Sequence, residues 1–152
     1  MKIGARRYFE AVGESDSYIE KTSGVYTYKG LVTVFSDEAS YTSRNNKMTV
    51  DFGTSSGRFE AGNFELDQDG GVVPNKTINN IDIVALDLTL NNSTGFISSA
   101  GGAIKVDGTD GAVDINGVLS ANNDAVAGAI VATEAIDGIV GGGFVLPQVP
   151  VN

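Results

Sequence analysis

The 152-residue chain has no cysteine, no histidine and only three prolines. Without cysteine, no disulfide can staple the fold and no thiol chemistry is available. Without histidine, Ser-His-Asp catalysis and histidine-centred metal sites are excluded. No stretch of about 18 consecutive apolar residues occurs, so no transmembrane helix is expected. Basic residues are few: the formal net charge is −9, the acids are scattered, and Arg6-Arg7 is the one basic patch. Such a surface repels phosphate backbones, and nucleic-acid binding is not expected. Met1-Lys2 is not followed by an apolar signal region, which fits a mature or trimmed chain.

Glycine is abundant, at 20 residues, with Ser, Thr, Asn and Asp filling the gaps between short apolar runs. That composition predicts one domain of many short strands joined by turns, with little helix. Residues 1–24 read as an N-terminal arm, in which a short strand near Arg7 to Val12 or an unpatterned segment fits equally. From Val25 the hydrophobic period is two. In "VYTYKGLVTVF" the residues Tyr26, Tyr28, Val32 and Val34 share a face, with a bend at Gly30. "KMTVDF" puts Met48, Val50 and Phe52 on one side. The turn "GTSSG" follows, and Gly53 and Gly57 are expected to supply positive φ. The change of phase from Phe59 and Ala61 to Phe64 and Leu66 predicts a bulge at Gly62-Asn63.

"IDIVALDLTL" is expected to set Val84, Leu86, Leu88 and Leu90 on one face. Ile104 and Val106, then Val113, Ile115 and Leu119, continue the inward set. The last hairpin is expected to turn near Thr133 to Asp137, with Ile136, Val140, Phe144 and Leu146 in one phase. Residues 147–152 read as a tail, because Pro147 and Pro150 cannot pair as a central strand. Residues 25–146 thus give about eight strands, the pattern of a barrel or sandwich.

The strands carry acids that raise two chemistries. Asp51 and Glu60 face each other if the hairpin brings them onto one rung, and paired carboxylates hydrolyse glycosides. Alternation assigns both to a solvent face, where charge keeps a sheet soluble. "DQDGG" at Asp67 to Gly71 spaces two acids as a calcium loop does, yet Ile78 stands where the closing acid is needed. "DGTDG" at Asp107 to Gly111 has the same look, and Asp-Gly is also ordinary turn chemistry. No cofactor is expected, and calcium is the one ion these loops bring into question. Tyr26 and Tyr28 fit core packing better than a sugar-stacking platform, and Met48, Phe52, Phe59 and Phe144 would fill much of a small barrel.

"YTYKG" at Tyr26 to Gly30, "VDFGTSSG" at Val50 to Gly57 and "VGGGFVL" at Val140 to Leu146 occur in an order that resembles transferrin-binding protein B-like surface lipoproteins. The resemblance covers Gly24 to Leu146. It implies an all-β fold, a single antiparallel eight-stranded up-and-down β-barrel, exported to the bacterial cell surface or secreted. Two features depart from the family: "AGAIVATEA" replaces its "YGPxAxE"-like turn, and the lipid-bearing cysteine is absent. No host-protein-binding residues carry over.

The expected function is therefore a non-catalytic binding or structural module that meets a protein or small solute through loops at the barrel ends. The two longest loops, Ser36 to Asn46 and Asp67 to Asn80, supply the candidate contacts: Asp37, Glu38, Tyr41, Arg44, Asp67, Asp69, Asn75 and Lys76. Two alternatives stand beside it. One is a carbohydrate-active jelly roll using paired carboxylates; the other is a structural component of a surface layer or virion.

Overall fold

A computed structural model of the chain describes residues 18–67, 78–99, 101–136 and 138–150. Among these residues there is no helix, and twelve strands form one antiparallel sheet. They are β1 (Val25–Tyr28), β2 (Leu31–Ser36), β3 (Ser40–Ser43), β4 (Asn45–Asp51), β5 (Ser56–Gly62) and β6 (Glu65–Leu66), followed by β7 (Ile81–Leu90), β8 (Phe96–Ser99), β9 (Gly102–Val106), β10 (Thr109–Leu119), β11 (Ala125–Ile136) and β12 (Ile139–Pro147). Their order is β1-β4-β5-β7-β8-β10-β11-β12-β2-β3-β6, with β9 beside β7 and β10. No helix among these residues is long and apolar enough to cross a membrane.

The all-β antiparallel class is as expected, but the single eight-stranded barrel is corrected to twelve strands. The physical reason is local. Two runs expected to be continuous are cut where the backbone turns, at Lys29-Gly30 and at Asn63-Phe64, and β3 with the start of β4 adds strand where a loop from Ser36 to Asn46 was expected. Asn63 has φ 52°, which lets the chain step out of phase, so Phe59 and Phe64 both point inward. The cut at Gly30 comes from a close crossing. A Cβ there would sit 2.2 Å from the Val145 carbonyl oxygen, so only glycine lets these backbones pass. Buried Asn46 staples the corner: it accepts from the Gly30 amide at 2.9 Å and donates to the Gly30 carbonyl at 2.8 Å and the Ser43 carbonyl at 3.0 Å.

Three further expectations are corrected. Ser55, with φ 56°, turns the β4–β5 hairpin, whereas Gly57 already pairs with Val50 in the ladder. In β7, Ile81, Ile83 and Ala85 are buried, then Leu88 and Leu90, while Leu86 is 61% exposed. Gly57 pairs with Leu88 and Phe59 with Ala85, so three steps on β7 oppose two on β5. That bulge flips the phase, which a period-two reading cannot anticipate. A second irregularity puts Ile139 rather than Val140 in the core, and β11 runs to Ile136, through most of the span from Thr133 to Asp137 where the turn was expected.

The core is one cluster running through every long strand. Phe59 packs on Phe144 at 5.5 Å between ring centroids, with Tyr28, Tyr41, Met48 and Phe52 also fully enclosed. The expected inward set Ile104, Val106, Val113, Ile115 and Leu119 is buried. β12 pairs with β2 through Val145↔Leu31 and Gly142↔Val34. Beyond it, Gln148 bridges Tyr28, and the Val149 amide donates to the Thr27 carbonyl at 2.8 Å. Pairing thus continues to Val149 where a tail was expected at Pro147. The proline uses only its carbonyl, which accepts from the Lys29 amide at 3.0 Å, so its missing N–H costs no bond.

Candidate functional site

Of the eight expected contact residues, Asp69, Asn75 and Lys76 lie outside the described residues, as do parts of residues 1–24. The others separate by burial. The segment Ser36 to Asn46 is not a long loop, because β3 and the start of β4 occupy most of it. A three-residue turn remains, organised by Ser36, whose hydroxyl accepts from the amides of Glu38 and Ala39 at 3.1 Å. Asp37 and Glu38 are exposed on that turn.

Tyr41 is 2% exposed, which removes it from any contact surface. Burial pushes its hydroxyl pKa up, against a smaller lowering by a backbone hydrogen bond at Ile78. Asp67 is committed internally: one carboxylate oxygen accepts from Ser40 Oγ at 2.7 Å and Thr42 Oγ1 at 3.0 Å, fastening the exit of β6 to β3. Arg44 is exposed at the β3–β4 corner and lines a shallow groove with Thr42, Asn45, Asn63 and Glu65. Asp107, the first acid of "DGTDG", accepts from the Asn79 amide at 3.0 Å and the Asn80 amide at 2.8 Å. Asp107 (φ 48°) and Gly108 (φ 86°) make the tight β9–β10 turn, so this loop does turn work in the fold.

The proposed acid pair does not meet. Asp51 pairs with Ser56, and Glu60 with Lys47. Asp51 Oδ1 accepts from the amides of Gly53 at 2.9 Å and Thr54 at 3.2 Å. Glu60 lies 3.6 Å from Lys47 Nζ and 3.7 Å from Arg58. Two carboxylates flanking one bond are what glycoside hydrolysis requires, and this hairpin places them on different rungs.

Sequence reading missed two places. One is an outer cleft of about 340 Å³ over β4, β5 and β7, edged by Lys29, Lys47, Glu60 and Asp82. Its residues come from three strands and the Lys29 corner, so only the register reveals it. The other is the turn at Ser120 to Asp124, at the end of the sheet. Asn123, 2% exposed, receives the Tyr18 hydroxyl on its side-chain oxygen and donates to the Ile19 carbonyl at 2.9 Å. Tyr28 donates to the Asn123 carbonyl at 2.7 Å. Burial, reinforced by Glu20, pushes the Tyr18 hydroxyl up to about 12, and burial raises Tyr28 as well. Next to it, Lys21 sits 3.9 Å above the Tyr26 ring, which meets Phe52 edge-on at 5.6 Å. No periodic signal marks Asn46 or Asn123; each is the second of an Asn-Asn pair, Asn46 at the start of β4 and Asn123 in the turn between β10 and β11.

These features define an antiparallel all-β domain with a side-chain-filled interior and polar staples at its corners. No protein-family model matches the chain, and no curated protein matches it.

Proposed function

We propose that this chain is a non-catalytic binding or structural module, a closed β-barrel resembling transferrin-binding protein B-like surface lipoproteins, displayed at the bacterial surface or secreted. Closure is supported by the pairing of β12 with β2 and by the Tyr28–Gln148 bridge, which join the last long strand to the first paired segment. A closed sheet leaves no edge for stray pairing.

The observation that carries the functional reading is the filled interior. Phe59, Phe144, Met48 and Tyr28 occupy the space that a ligand chamber would need, so a protein or solute partner is met from outside. The non-catalytic part rests on Asp51 and Glu60, each held by local partners on separate rungs. Among the expected contacts, Asp37, Glu38 and Arg44 keep an exposed position.

The test is capture of a partner from the protein's native surroundings, comparing wild type with Asp37→Ala/Glu38→Ala/Arg44→Ala. The expected result is a partner held by wild type and at least about tenfold weaker for the variant, equivalent to about 1.4 kcal/mol. Equal capture by both would move recognition away from the turns that flank β3. Release of sugar from a glycan by the purified protein would replace the binding reading with the carbohydrate-active one.

A further inference from the structure

The outer cleft over β4, β5 and β7 is built around a missing side chain. Gly62 pairs with Asn45 on β4 and, one step past the Ala61↔Ile83 pair, lies beside Asp82 on β7. A Cβ on Gly62 would sit 2.9 Å from Asp82 Oδ1, so the carboxylate leans over the glycine and into the cleft. At the next outward rung Lys47 pairs with Glu60, and Glu60 with Val84. Lys29, one step past the Tyr28↔Met48 pair, edges that rung on the far side of Lys47.

Most charges near this cleft are already answered. Glu60 is taken on one oxygen by Lys47 at 3.6 Å and on the other by Arg58 at 3.7 Å. Lys105, the neighbour of Asp82 on β9, turns to Asp110 at 3.6 Å. Three polar side chains are left over. Among the described residues, Lys29 Nζ, the Asn45 carboxamide and the Asp82 carboxylate make no hydrogen bond or ion pair. All three are exposed, and all three line the same cleft. They stand in the order cation, amide, anion, with the bare Gly62 between the last two.

We infer that this cleft binds a small dipolar molecule, a carboxylate and an ammonium about 7 Å apart with a peptide unit between them. The spacing sets that class. From β1 through β4 and β5 to β7 is three strand spacings of about 4.8 Å. Two residues along the strand add about 6.6 Å, so the Cα atoms of Lys29 and Asp82 lie about 16 Å apart. An extended lysine takes up about 6 Å of this and the leaning carboxylate about 3 Å, leaving a gap of about 7 Å. A free dipeptide matches it, since two extended residues span about 7 Å. Its carboxylate meets Lys29 and its ammonium meets Asp82. Asn45, which both donates and accepts, serves the peptide group. The cleft, about 340 Å³, is at the small end of ligand sites. Because water reaches both charges, binding is weak, with a Kd of about 1 mM. The site lies on the wall of the sheet and does not depend on Asp37, Glu38 or Arg44 acting as contacts.

Titration of the full chain with dialanine to about 20 mM, well above that Kd, tests this through the backbone amide shifts. Those of Asn45, Gly62 and Asp82 are expected to move together along one saturating curve. N-acetyl-dialanine and dialanine amide each lack one charge and should bind at least about threefold weaker, the size of one exposed ion pair. Glycine, whose charges lie within about 3 Å of each other, should do the same. Asp82→Asn and Lys29→Gln should each weaken dialanine at least about threefold. Asp114→Asn makes the same change of charge on β10 and should leave binding within about twofold, while added salt should weaken it. The capped peptides are tested on the wild-type chain, which keeps the result decisive if a variant fails to fold. No saturable shift, equal binding of capped and free peptide or of glycine, unaffected Asp82→Asn and Lys29→Gln, or shifts confined to β11, β12 and β2 would each overturn the inference.

Discussion

The outward faces of β4–β5–β7 and of β11–β12–β2 are built on the same ladder and dressed in opposite ways. The first carries Lys47, Arg58, Glu60, Asp82 and Asp87, with ion pairs at 3.6 and 3.7 Å around Glu60. The second carries Gly141, Gly143, Ala129, Val131 and Phe35. Both bury an equally apolar inner face. The difference teaches that fold and surface are specified separately: the inward phase builds one core, and the outward phase is free to be charged or bare. Glycine concentrates on the bare side because strands approach closely there. A Cβ on Gly141 would lie 2.7 Å from the Ile130 carbonyl oxygen.

The largest expected effect comes from removing one side of this comparison altogether. Truncation after residue 137 deletes β12, leaving β11 and β2 without a common neighbour and taking away Phe144 and Leu146. Those two buried side chains alone are worth roughly 1.5–3 kcal/mol each, against a total stability of about 5–15 kcal/mol. The truncated chain is expected to unfold or aggregate on purification. A monomer with one cooperative transition would show that the charged half folds alone.

Phe144→Ala is next. It empties the place beside Phe59 and is expected to cost about 3–5 kcal/mol by denaturant titration. Asn46→Ala leaves the Gly30 amide and carbonyl without their side-chain partner at a half-buried corner, for an expected loss of about 1–3 kcal/mol. If the variant melts like wild type, water replaces the staple without penalty.

Alkaline titration sharpens the comparison at the Asn123 turn. The folded-state pKa of Tyr18, about 12, stands above its ordinary value of 10.0, and Tyr28 shifts the same way. The unfolded chain therefore loses these protons first. Stability is expected to be complete below about pH 10 and to fall as pH rises toward 12. Tyr18→Phe, lacking the ionisable group, should show a shallower decline in melting temperature over that range; an unchanged slope would assign the effect to other groups. The smallest effect belongs to the exposed ion pairs. Lys47→Gln should change stability by less than about 1 kcal/mol.

The sequence made the strands legible wherever a period of two ran unbroken, as in Met48-Val50-Phe52 and Val113-Ile115. It failed where one residue slipped the phase. Leu86 reads as core from its neighbours Leu88 and Leu90, and only the pairing of Phe59 with Ala85 reveals that it faces out. Twelve strands were read as eight because a corner such as Lys29-Gly30 costs two residues and leaves the hydrophobic pattern intact on both sides. The candidate contacts fared according to burial. Asp37 and Glu38 lie on an exposed turn as composition suggests, but Tyr41 sits among inward residues. Asp67 is used up by two hydroxyls that lie far from it in sequence. The outer cleft had no sequence signal, since its lysines and acids meet only across strands.

One further consequence lies in the Ser120 to Asp124 turn. The incoming chain is hydrogen-bonded there, Ile19 amide to Ala121 carbonyl at 2.9 Å, and so is the outgoing chain, Gln148 amide to Asp124 carbonyl at 2.8 Å. A single hairpin clasps both leads. Neighbouring leads of this kind suit a domain to grafting into a surface loop of a host protein, since the host's own ends need separate very little. The clasp also decides how such a graft responds to load. Tension on the two leads acts on these bonds, on the Tyr18–Asn123 contact and on the Val149–Thr27 bond, all of which lie nearer the leads in sequence than Phe59 and Phe144.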